Sequence, residues 1–177
     1  MFSHIMIGSN DIDRSQRFYD AVLAVFGAKP ATRNQAPTGH MRLFYQAGGN
    51  MFCVSEPING EPATASNGST IGFKCDSPEQ AKHFHDVAVA NGGTSIEDPP
   101  GVRSGSIGSI YLAYVRDPDG NELASYEFTC DNAGTCSGSW RAAFDGIGCS
   151  MFGTIVLGFV VTDQLGFDSE EFQYQTE

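Results

Sequence analysis

The chain has 177 residues, 41% of them hydrophobic, and a formal net charge of −11. That length suits one domain with a substantial core and is marginal for two, and the acidic balance excludes non-specific nucleic-acid binding, which needs Lys and Arg to neutralise phosphates. The longest apolar run, Ile155 to Val161, is broken by Gly158 and falls far short of the roughly 20 residues that span a bilayer, so no membrane partner is expected.

The opening residues Met1-Phe2-Ser3-His4-Ile5-Met6 lack the basic start of a secretory signal, and the expected location is the cytosol. Phe2 to Gly8 is predicted as a strand. Asn10 or Asp11 can cap the helix that follows, in which Tyr19, Val22, Leu23 and Phe26 recur at helical spacing, and Gly27 ends it. Strands are predicted near 29–35, 40–47 and 51–56. Pro57 to Ser69, rich in Gly, Ser and Pro, reads as a linker. A strand at 70–75 then precedes Ser77-Pro78-Glu79-Gln80, where Ser77 can cap, Pro78 fits the first helical position and Gln80 can close a capping box. Ala81, Phe84, Val87 and Ala88 form that helix's apolar face, and Gly92-Gly93 stops it. Strands follow near 94–98, 109–116 and 121–127, the last two joined by the tight turn Asp117 to Asn121. Glu56-Pro57 and Asp98-Pro99-Pro100 read as strand stops, and the Gly- and Ser-rich stretch Gly101 to Ser109 as a flexible loop able to serve as a lid.

The two halves repeat each other. At an offset of 66, Phe18-Tyr19-Asp20 meets Phe84-His85-Asp86, and His4 meets Thr70; at 69, Leu43 and Tyr45 meet Leu112 and Tyr114; at 71, Gly49-Asn50 meets Gly120-Asn121. Each half is one βαβββ unit. The expected fold is α+β, two βαβββ modules forming a concave U-shaped mixed sheet with helices outside, plus a C-terminal extension. A small ligand belongs in such a concavity.

His4-Ile5-Met6-Ile7 followed by Phe18-Tyr19, together with Tyr114-Val115-Arg116-Asp117-Pro118-Asp119-Gly120-Asn121, resembles the glyoxalase / bleomycin-resistance / extradiol-dioxygenase (vicinal oxygen chelate) superfamily. The resemblance covers 1–128, with modules 1–56 and 70–128, and leaves 129–177 as an acidic extension. It implies metal ligands, usually His or Glu, on the first and last strand of each module, where a metal polarises neighbouring substrate oxygens. Carried onto this chain, the four positions are His4, Cys53, Thr70 and Ala124. Alanine cannot coordinate and threonine is a weak ligand, whereas a catalytic zinc normally keeps three protein ligands. The expectation is therefore a cleft without a tightly bound catalytic metal and without another cofactor, unless a bulge turns Glu56 or Glu127 inward.

His4 is the candidate acid–base residue. Arg42 and Tyr111, repeat partners at the offset of 69, join His4, Cys53, Thr70 and Ala124 as candidate cleft residues, Arg42 as a carboxylate binder. His83 and His85 are too closely spaced to face one metal from a helix. Five cysteines with no close CxxC pair point to free thiols. The expected function is small-molecule binding, or catalysis by His4, with a degenerate metal site. The alternatives are a metal-dependent lyase or isomerase of the lactoylglutathione lyase type and a non-catalytic interaction module. The resemblance also implies a homodimer.

Residues 131–177 carry one Lys or Arg against seven Asp or Glu. Asn132 to Ser139 reads as a linker, and Ile155 to Val161 as a β-prone stretch that needs cover.

Overall fold

The structure, a computed structural model, describes residues 3–47, 49–105 and 108–129. The expected extension, with its linker and apolar stretch, lies outside the described residues from 130 onward, as do Cys130, Cys136 and Cys149.

The first module runs β1 (His4–Gly8), α1 (Ile12–Ala24), β2 (Thr32–Gln35), β3 (Met41–Ala47) and β4 (Asn50–Ser55); the second runs β5 (Thr70–Lys74), α2 (Pro78–Ala90), β6 (Thr94–Gly105), β7 (Gly108–Arg116) and β8 (Glu122–Thr129). Each module closes its own four-stranded sheet, in the orders β1-β4-β3-β2 and β5-β8-β7-β6. The first strand of each pairs parallel with the last, and the other pairings are antiparallel. The fold is thus α+β with two βαβββ modules, its strands shared between two sheets rather than one continuous ladder. No described helix is long and apolar enough to cross a membrane.

Both helices form where the capping chemistry places them. The Asp11 side chain accepts from the Arg14 N–H at 2.9 Å, so Asp11 rather than Asn10 is the cap of α1. Ser77 caps α2 and Pro78 sits at its start. Gln80 closes the cap by accepting from the Asp76 N–H, and its amide also donates to the Val25 carbonyl of the first module. Phe18, Tyr19, Val22 and Leu23 of α1 and Ala81, Phe84 and Ala88 of α2 are buried against one face of the sheets. The strands supply the other half of the core by alternation: Leu43, Tyr45, Phe52 and Val54 in the first sheet, Ala113, Val115, Leu123 and Ser125 in the second. Full burial of each large apolar side chain contributes about 1.5–3 kcal/mol.

The modules share that core. Phe73 of β5 stacks on Phe26 at 5.6 Å and meets Phe52 at 5.8 Å and Phe84 at 5.3 Å, so one side chain joins both sheets and both halves. A polar latch reinforces the junction. Asp117 holds its own turn by accepting from the Asp119 and Asn121 N–H groups, and it accepts from the Tyr19 hydroxyl at 2.7 Å. Asp119 reaches across to the β1–α1 corner and accepts from the Asn10 N–H and side-chain amide, from Arg14 at 2.7 Å and from the Ser15 hydroxyl. The turn that carried the family resemblance is therefore a clamp between modules.

Two expectations about the second module are corrected. The stretch 94–105 is one strand, not a strand followed by a loop: Gly101 to Gly105 pair with Leu112 to Gly108, and Ser109 lies in β7, so these residues belong to a strand ladder. Pro99 and Pro100 do not stop the strand, because they fall in a register shift between Ile96 and Gly101 on the edge strand, where a missing N–H breaks no ladder bond. The shift carries local strain, since Glu97 has φ 60°. Arg103 pins it by donating to the Asp98 and Pro99 carbonyls. Pro57 does behave as expected, with β4 ending at Ser55.

Candidate functional site

Strand alternation gives each sheet a second face that no helix of the described residues covers. On the first sheet it carries His4 and Met6, then Met51, Cys53 and Ser55 opposite them, then Arg42, Phe44 and Gln46, with Thr32 and Asn34 on β2. On the second it carries Thr70 and Gly72, opposite Glu122 and Ala124, with Leu112, Tyr114 and Arg116 beyond. The registers correspond: Met6 pairs with Cys53 as Gly72 pairs with Ala124.

The four carried-over positions therefore lie on helix-free faces, in two pairs, one per sheet. Their chemistry does not fit a divalent metal. Ala124 offers no donor atom. The Thr70 hydroxyl donates to Glu122 at 2.6 Å. Burial raises the pKa of the Cys53 thiol, with only partial relief from Arg42, so the thiolate that binds metals is disfavoured. His4 is exposed and meets Ser3 Oγ through Nδ1 at 2.9 Å, a weak orienting partner compared with a carboxylate. Among the described residues no group of three or more His, Cys, Asp or Glu could hold a metal ion.

Glu56 does not repair the set. Glu56 lies just past β4 and accepts from the Met41 N–H at 2.6 Å, which ties it to the end of the neighbouring strand. The backbone of Glu127 pairs with that of Tyr111 in the β7–β8 ladder.

Tyr111 is a correction. It alternates with Leu112 and Tyr114, and it lies near Lys82 of α2, on the helix side of its sheet. The repeat offset for this strand pair is 70 and not 69: Phe44 opposes Cys53 as Tyr114 opposes Ala124. A slip of one residue exchanges the faces of a strand, so the true partner of Arg42 is Leu112. The second module thus has Leu112 where the first has Arg42.

Arg42 lies on the helix-free face of β3. Its guanidinium donates to Asn34 Oδ1 at 2.6 Å and lies 5.6 Å from the Phe44 ring centroid. Its Nε is enclosed and has no hydrogen-bond partner. Next to it a groove of about 640 Å³ is lined by Gly27, Lys29, Pro30, Thr32, Asn34, Phe44 and Gln46, a volume typical of small-molecule sites. Sequence reasoning missed this groove. The signal was present in β3, where Arg42, Phe44 and Gln46 alternate with the core residues Leu43 and Tyr45. The α2 histidines take no part: His85 is buried with its Nε2 at 2.8 Å from Ser95 Oγ, and His83 is exposed.

Residues 1–124 match the family model of the Glyoxalase/Bleomycin resistance protein/Dioxygenase superfamily, and the chain belongs to that superfamily. Among solved structures it is similar to a glyoxalase/bleomycin resistance protein from Albidiferax ferrireducens T118, with 49% identity and a TM-score of 0.66 over 71% of this chain and 98% of that one. The fold also matches a glyoxalase/bleomycin resistance protein/dioxygenase family enzyme from Burkholderia phytofirmans PsJN (18% identity, TM-score 0.53, 72% and 98% covered). It further matches the fosfomycin resistance protein FosX from Mesorhizobium loti (17% identity, TM-score 0.50, 73% and 92% covered). No curated protein matches the chain.

Proposed function

We propose that this protein binds a small organic molecule on its helix-free sheet faces and does so without the divalent metal that many members of its superfamily use. The observation that carries the reading is the donor set: of His4, Cys53, Thr70 and Ala124, one has no donor, one is a hydroxyl already engaged with Glu122, and one is a thiol whose pKa burial raises. Binding is favoured over acid–base turnover because His4 is solvent-exposed and its Nδ1 meets a serine hydroxyl, which leaves the ring without the oriented proton acceptor that a general base gains from a carboxylate. A cytosolic setting and a homodimer belong to this reading. The helix-free face leaves Met6 45% exposed, in keeping with a second copy completing the cleft.

The test pairs two assays on the full chain. A thermal-denaturation screen of small organic molecules, with and without a chelator, should find ligands whose stabilisation is unchanged by the chelator. Incubation with the glutathione–methylglyoxal hemithioacetal should give no product. Chelator-sensitive turnover of the hemithioacetal would replace this reading with the metal-dependent lyase.

A further inference from the structure

We infer that the groove beside Arg42 is the ligand subsite, and that it takes an organic monoanion carrying a flat apolar ring. This rests on the metal-free binding reading above and names the ligand class for it. The groove's lining holds a cation, Lys29, an aromatic wall, Phe44, and the neutral polar side chains Thr32, Asn34 and Gln46, with no acidic residue. That is a local inversion of a chain whose net charge is −11. Lys29 is exposed and forms no ion pair among the described residues.

Arg42 supplies the second cation. Its Nη2 is bound to Asn34, a groove residue, and its plane rests near Phe44, another. Its Nε is enclosed, so a carboxylate entering along Phe44 would meet the guanidinium through Nη2, the nitrogen that Asn34 holds at the groove. The ligand's ring would lie on Phe44, and Lys29 would hold the outer oxygen. Thr32 and Gln46 can orient polar substituents. A neutral ligand of the same shape would leave both cations unmatched.

The probe is 2-naphthoate, compared with 2-naphthamide, titrated into the isotope-labelled full chain and followed by amide chemical shifts. The acid should perturb Thr32, Asn34, Phe44 and Gln46, and the amide should bind at least about tenfold more weakly, as expected for losing a charge-assisted pair. Arg42→Gln should weaken the acid by about tenfold or more, and Lys29→Gln, at an exposed site that leaves the fold intact, by a few fold. Tyr111→Phe should leave the affinity unchanged. Equal affinity for acid and amide, shifts confined to other strands, no binding of the acid at millimolar concentration, or unchanged affinity in both cation variants would each overturn the assignment. Failure here with a metal-free protein removes only the groove. Stoichiometric metal removes the broader reading, whatever the naphthoate result.

Discussion

Removing the Asp119 carboxylate should loosen the joint between the modules. Its side chain is only 2% exposed, while its partner Arg14 is 40% exposed. It accepts from the Asn10 N–H and amide, from Arg14 and from Ser15. Hydrogen bonds to a charged group contribute about 1.5–3 kcal/mol each in favourable cases. Arg14 and the Asn10 amide can return to water, so the ion pair counts for well under its buried value. The Asn10 N–H and the Ser15 hydroxyl stay partly enclosed and lose an acceptor. Asp119→Ala should therefore cost about 2–4 kcal/mol, which in urea is a midpoint shift of roughly 1–2 M for a slope near 2 kcal/mol per M. Asp119→Asn keeps one acceptor oxygen and should cost about half as much. A double-mutant cycle with Arg14→Gln should return a coupling of about 0.5–1 kcal/mol. If both Asp119 variants unfold within about 0.5 kcal/mol of the wild type, the turn is not a clamp and the reasoning is wrong.

Three further outcomes follow from the same geometry. Gly93→Ala places a Cβ 2.9 Å from the Ala88 carbonyl oxygen and 3.0 Å from that of Arg116; since both are backbone atoms that cannot swing aside, it should destabilise by about 1–3 kcal/mol, measured by urea unfolding. Burial pushes the Tyr126 phenol up to about 12, and burial with nearby Asp117 raises Tyr19 while burial with Asp20 raises Tyr45. A folded pKa above the unfolded value of 10 means that this stability is complete below pH 10 and is lost as pH rises toward 12 and beyond. Tyrosinate absorbance near 295 nm should accordingly rise together with loss of circular dichroism, and full titration near pH 10 with the fold intact would contradict the burial argument. For Cys53, the raised pKa and burial predict that iodoacetamide at pH 8 modifies it only after unfolding; rapid labelling of the native protein, read by peptide mass, would contradict this.

The repeat and the capping signals make the architecture legible in the sequence. Ser77, Pro78 and Gln80 act as their spacing implied, and the offsets of 66 and 71 match the observed pairing of first and last strands. The third strand of each module was misaligned by one residue, because Leu43 and Tyr45 found apolar look-alikes at 112 and 114 when their structural partners are 113 and 115. Period-two structure punishes such a slip by exchanging faces, and Tyr111 entered the candidate site for that reason. Asp98-Pro99-Pro100 misled in another way: a local stop signal was overridden because β6 is an edge strand that can absorb a bulge. The groove was hidden because its lining comes from a loop and two strands, and Lys29 and Asn34 carry no motif.

Four positions that lack the donors for a metal carry the metal-free reading. The most direct test is elemental analysis of the full chain, purified without chelators, beside its His4→Ala variant. Far less than one metal ion per chain is expected in both. Near-stoichiometric zinc, nickel, iron or manganese in the wild type, lost in His4→Ala, would contradict it.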